Sequence, residues 1–110
     1  MLLAWLPSTG RGEDHIPGFY GTTQNLVPPA ASALPQVRNM VEGITSIEAV
    51  TENKLVVRQN KAKAVVDWES FDVGASAWVH FNQKGNANWS ALNRIYDQNP
   101  SQIFGKLTAR

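Results

Sequence analysis

The chain has 110 residues, enough for one domain and too short for two ordinary ones. Apolar residues make up 43% and charged residues 17%, which excludes a wholly disordered chain. Ten Lys and Arg against nine Asp and Glu leave a net charge of +1, so no charge excess points to nucleic acid or a membrane surface, and the absence of cysteine excludes disulfides, a thiol nucleophile and thiolate metal sites.

Met1–Leu6 is apolar but lacks a basic start and is stopped by Pro7, so it does not make an intact secretory signal. Ala31-Ser32-Ala33 has the form of a cleavage site, but the stretch before it is too polar to be a signal core. Leu6-Pro7-Ser8-Thr9-Gly10 fits a sortase pattern in the wrong place, since that signal works at a C-terminus. No run reaches the ~20 apolar residues of a membrane span. Residues 1–35 hold five of the six prolines together with Gly10, Gly12, Gly18 and Gly21. Proline removes backbone donors, so residues 1–32 read as an extended or disordered leader or linker, in which Phe19 and Tyr20 are solvated aromatics.

Residues 41–110 carry eight valines, four isoleucines and a single proline, a composition that fits pleated strands better than helices. Apolar runs recur at Ile44–Val50, Lys54–Arg58, Ala62–Asp67, Phe71–Val73, Trp78–Phe81, Ala91–Ile95 and Ile103–Leu107. Turn residues part them at Glu52-Asn53, Gln59-Asn60, Gly74, Lys84-Gly85-Asn86 and Asp97-Gln98-Asn99-Pro100. This rhythm predicts an all-β domain with little helix. Alternation places Ala64, Val66 and Trp68 on one strand face, with Lys63, Val65, Asp67 and Glu69 on the other. The doublets Val56-Val57 and Val65-Val66 predict partial cover on both strand faces. Most of the nine asparagines fall at these turns, where Asn tolerates left-handed backbone.

Signals for catalysis are sparse. His15 and His80 are the only histidines, and neither belongs to a metal-binding pattern. His80 reads as an exposed or hydrogen-bonded strand histidine. No serine has a nucleophile-elbow setting, and no glycine-rich phosphate loop is present. Asp67, Glu69 and Asp72 are the nearest approach to a carboxylate cluster. Asp67 and Glu69 would stand about 7 Å apart on one strand face, a spacing open to glycoside hydrolysis but read here as a solvated face beside Lys63. Trp68, Trp78 and Trp89, with Phe71, offer a stacking surface for carbohydrate, although most such rings fill cores. Asn88-Trp89-Ser90 fits the glycosylation acceptor pattern, a short match expected often by chance.

Several segments in order carry a family likeness. They are Ala33-Leu34-Pro35, then Glu52-Asn53-Lys54-Leu55-Val56-Val57-Arg58-Gln59, then Lys63 to Gly74 (K-A-V-V-D-W-E-S-F-D-V-G). Val79-His80-Phe81-Asn82-Gln83, Ala91-Leu92-Asn93-Arg94-Ile95 and Asn99-Pro100-Ser101-Gln102-Ile103-Phe104-Gly105-Lys106-Leu107 follow. Together, residues 33–110 resemble the N-terminal secretion domain of filamentous-haemagglutinin-like exoproteins, the large partners of two-partner secretion systems. The resemblance implies a right-handed parallel β-helix with an N-terminal cap and first coils. It implies a non-enzymatic secretion and adhesion module, without cofactor or metal, exported through the periplasm to the cell surface. Its implied partner is an outer-membrane β-barrel transporter with POTRA domains, and the full-length protein would meet host-cell or surface glycans. Transporter recognition is expected at Asn93, Arg94, Asn99 and Pro100. Val66, Trp68, Phe71, Val79, Phe81, Leu92 and Ile103 are the expected core and signature residues. The family's next motif, N-P-N-G-I, is expected soon after Leu107, beyond Arg110. The chain therefore reads as an N-terminal piece of a longer exoprotein or as a decayed copy, with a carbohydrate-binding β domain as the alternative.

Overall fold

A computed structural model describes residues 27–110 in full and the backbone of residues 2–7. His15, Phe19, Tyr20 and most of the Pro-rich front lie outside the described residues. Among the described residues there are eight strands: β1 (Leu2–Pro7), β2 (Gln36–Glu42), β3 (Ile44–Thr51), β4 (Lys54–Gln59), β5 (Lys63–Ser70), β6 (Trp78–Asn82), β7 (Ser90–Ile95) and β8 (Lys106–Ala109). No helix occurs among the described residues.

The strands form two sheets of four, in the orders β1-β7-β5-β2 and β3-β4-β6-β8. From β4 onward the chain alternates between the sheets, and each strand lies parallel to the one laid down a circuit earlier. Trp78 pairs with Lys54, Ser90 with Lys63, and Lys106 with Trp78. A third line of contact forms where Val73 bridges Ile103 in parallel. The antiparallel neighbours sit at the edges: β2 on β5, β3 on β4, and β1 on β7. The sheets are thus mixed, parallel within and antiparallel at these margins. Pro7 is the last residue of β1, an edge strand, which is where a missing N–H is tolerated.

Alternation explains which side chains turn inward. Leu55, Val57, Val66, Trp68, Val79, Phe81, Ala91, Ile95 and Leu107 join Phe71, Val73 and Ile103 in one buried cluster. Like positions stack across the parallel strands, so Leu55, Val79 and Leu107 form one row, and Val57, Phe81 and Ala109 another. Each fully buried Val, Ile or Phe contributes about 1.5–3 kcal/mol of burial energy. Trp68 and Phe71 meet edge to face with centroids 5.0 Å apart. Of the doublets, Val56 is buried on the outward side of β4 while Val65 is half-buried. Leu92 is not among the core residues: it is half-buried on the outward side of β7, because Ala91, Asn93 and Ile95 take the inward positions.

Strand β2 is exposed along its whole length and joins β5 through several register shifts, as expected where neither face is buried. Gly43, with φ at 71°, then turns the chain from the first sheet into β3 of the second. The β2–β3 pair in this way covers the first parallel strands of both sheets.

The corners are as tightly specified as the strands. The turn at Ala30–Ala33 receives the Gly74 N–H at the Ala33 carbonyl (3.0 Å) and the Ser76 N–H at the Ala31 carbonyl (2.8 Å). A Cβ on Gly74 would stand 2.1 Å from the Ala30 oxygen and 2.4 Å from the Ala31 oxygen. One circuit later, a Cβ on Gly105 would stand 2.2 Å from the carbonyl oxygens of Gly74 and Ala77. Successive corners therefore stack backbone on backbone. Gly74→Ala is expected to lower the unfolding free energy by about 1–3 kcal/mol. Gly85→Asn, at a left-handed position with open space around it, should stay within about 0.5 kcal/mol of the parent. Urea midpoints of the two variants check this contrast.

Candidate functional site

The residues expected to meet a partner divide between inside and outside. Asn93 is 1% exposed and points into the core. Its Oδ1 accepts the Trp68 indole N–H at 2.8 Å, which satisfies the one polar group of the largest core side chain. Neighbouring residues on a strand face opposite ways, so Arg94 points outward. Its guanidinium clasps Asp67 at 2.5 and 3.1 Å across the parallel β5–β7 pair. Asn99 is exposed in the loop after β7, where its N–H donates to Asp97 Oδ1 at 2.9 Å; Pro100 is half-buried beside it. Val66, Trp68, Phe71, Val79, Phe81 and Ile103 all lie in the buried cluster.

The outer face of the first sheet is an ion-paired surface. Beside Asp67–Arg94, Arg38 of β2 holds Glu69 at 2.6 and 3.1 Å and lies 4.1 Å over the Tyr96 ring. The hydrogen bonds donated by Arg38 keep the Glu69 carboxyl below its ordinary value, and those that Arg94 donates to Asp67 hold the Arg94 guanidinium above its own. Asp67 and Glu69, read from the sequence as a solvated face with a spacing open to acid–base work, are thus both engaged by arginines. Asp72 is apart from them, accepting the Gln102 N–H at 2.9 Å; burial pushes its carboxyl up against that bond. Among the described residues no group of His, Asp and Glu could hold a metal ion.

The three tryptophans do not share a surface. Trp68 is in the core, and Trp89 sits in the β6–β7 loop, where its backbone N–H donates to the Asn86 carbonyl. Trp78 is half-buried on the outer face of the second sheet, between Lys54 and Lys106 in register. Thr108 accepts the Trp78 indole N–H at 2.7 Å and lies 2.7 Å from His80 Nδ1. Burial, then Lys54 and Arg110, push His80 below the ordinary histidine value. A buried amide pair marks the end of the same sheet: Gln83 Nε2 donates to Gln59 Oε1, and Gln59 Nε2 donates to the carbonyls of Lys61 and Ser90. The Lys-Trp-Lys row escapes sequence reading because the three residues meet only once the parallel register is known.

The match to known proteins covers β2 to β8 of this two-sheet unit and leaves out the edge strand β1. A family model described as the TPS secretion domain matches residues 32–110. The chain belongs to the two-partner secretion (TPS) domain family. It is similar to a heme/hemopexin-binding protein of Haemophilus influenzae, 44% identical over 75 residues, which are 68% of this chain and 8% of that protein. A second such protein, from Haemophilus influenzae strain ATCC 51907 / DSM 11121 / KW20 / Rd, is 40% identical over 80 residues, 73% of this chain and 9% of its own length. The chain thus spans less than a tenth of these curated relatives. TPS domains belong to exported exoproteins with an outer-membrane transporter partner, so membership points to a secretion module and away from a catalytic one.

Two outcomes follow for this TPS domain. Asn93→Leu strands the Trp68 N–H in the core and should cost about 1–3 kcal/mol in thermal unfolding. His80 resists protonation in the fold, so the unfolded chain takes up its proton first; His80 should cost stability as pH falls below 6.5, increasingly until its own lowered pKa is passed. Comparing unfolding free energies of the parent and His80→Gln between pH 7 and 5 isolates that loss, which the variant should lack.

Proposed function

We propose that this chain is the recognition and export module of a two-partner exoprotein, read by the periplasmic POTRA domains of its outer-membrane transporter. The family match over residues 32–110 carries this reading. In it, the parallel circuits β4–β5–Val73 and β6–β7–Ile103 are the first coils of a right-handed parallel β-helix, and the β2–β3 pair is its N-terminal cap. Residues 1–32 act as leader or linker to the module. Arg94, Asn99 and Pro100 are the outward candidates for transporter contact. Asn93 would reach a partner only from a chain not yet folded, where backbone groups are free for strand addition.

The module works without a cofactor and without covalent chemistry. Its passenger ends on or beyond the outer cell surface, and any adhesion, glycan contact, or capture of heme or hemopexin would belong to the longer protein it exports. Stacking of a neutral sugar is the weaker reading, since Trp68 is inside and Trp78 already carries a lysine on its ring.

A secretion assay tests the proposal. The 110-residue chain, joined to a reporter directed to the periplasm, is co-expressed with a two-partner transporter. Reporter in the medium only when the transporter is present is the expected result. Retention in the periplasm, with no binding to a purified POTRA fragment, overturns the proposal.

A further inference from the structure

The net charge of +1 conceals an uneven distribution. On the outer face of the first sheet, acids and bases neutralise each other through Asp67–Arg94 and Glu69–Arg38. The outer face of the second sheet gathers more bases than acids among the described residues. Its rows run Lys54–Trp78–Lys106, then Val56–His80–Thr108, in which Val56 and Thr108 are buried, and Arg58–Asn82, with Arg110 following Ala109 beside Asn82. Four permanent cations thus stand on one face. Glu48 of β3 pairs with Arg58 at its margin, and Glu52 lies in the adjoining turn.

One end of this face is hollowed. An open cavity of about 330 Å³ is lined by Thr51, Asn53, Lys54, Ser76, Trp78 and Lys106, among others. Its walls are built: Asn53 Nδ2 donates to the Ser76 carbonyl at 2.8 Å, and Thr51 Oγ1 donates to Asn53 Oδ1 at 2.9 Å. The Lys54 ammonium lies 3.7 Å from the Trp78 ring centroid and that of Lys106 5.1 Å. Contact with the ring restricts both side chains, so less freedom is lost when an anion arrives.

We propose that this cavity and the basic face leading from it dock an acidic, extended polypeptide segment. The inference rests on the reading of the chain as a transporter-recognised module and assigns the segment to the transporter's periplasmic part. Charge complementarity selects an acidic partner. The lysine at 3.7 Å covers the ring that a sugar would need for stacking. Lys106 and Arg110 lie four residues apart on one strand face, roughly 13 Å, so an extended segment of several residues can meet both ends of the face where a single small anion cannot.

The test uses NMR on the full chain with three probes: a hexaglutamate peptide, a heparin hexasaccharide and a POTRA fragment. Hexaglutamate should shift the Trp78 indole signal and the amides of residues 51–54, 76–78 and 106–110, less so at high salt. Lys54→Glu with Lys106→Glu should weaken both hexaglutamate and POTRA binding by about tenfold or more. Lys63→Glu with Lys84→Glu, equal in net charge but elsewhere on the surface, should bind like the parent, and circular dichroism checks that both pairs fold. A silent Trp78 signal, unchanged binding by the Lys54/Lys106 variant, or a response to heparin alone overturns the docking site. Failure of the parent chain to bind the POTRA fragment counts against the transporter reading instead, while the hexaglutamate arm still decides whether the face takes acidic peptide.

Discussion

The fold depends on parallel register. Leu55, Val79 and Leu107 lie in one row because their strands advance in the same direction and in step. The same step brings Val57 against Phe81 and Ala109, and joins Gln59 to Gln83 through their amides. A slip of one residue would turn every one of these side chains outward and bring Lys54, Arg58 and His80 inside. The cost of burying those charges makes the register close to obligatory. The buried Trp68–Asn93 bond reinforces it, since the indole N–H finds its acceptor only when β5 and β7 are aligned as they are.

The corners enforce the same spacing by exclusion. Gly74 and Gly105 stand at equivalent bends, each pressed against the carbonyls of the circuit before it. Lack of a side chain is the requirement there, not an unusual backbone angle. The outer faces are freed by this arrangement to differ from each other. One is closed by arginine–carboxylate pairs, and the other presents lysines braced on a tryptophan.

Much of the central architecture was legible in the sequence, for a physical reason. The strands from β4 to β7 each turn one continuous face into the core, so period-two alternation and the intervening turn residues mark them closely. Strand β2 was not legible, because all seven of its residues are exposed and alternation carries no information there. The edge pairing of Leu2–Pro7 was hidden by the prolines around it, although a proline at the end of an edge strand forgoes no ladder bond that matters. Asn93 and Arg94 read as partner-facing together, but adjacent strand residues cannot share a face, and the apolar Ala91 and Ile95 already indicate which one turns in. The run from Ile103 to Leu107 proved to be a bridge, a corner at Gly105 and the start of β8. The surface row at Trp78 could not be read from any local window, since its members come from three strands.

Parallel pairing also sets a timetable. Lys54 meets Trp78, and Val73 meets Ile103, only after the chain has travelled a full circuit between them. Closing such long loops comes before the contacts that reward it, so folding of this kind is slow beside the formation of a hairpin. Until those circuits close, the strands of this domain keep their backbone edges unpaired for longer than the strands of a hairpin do, and the stacked rows assemble last.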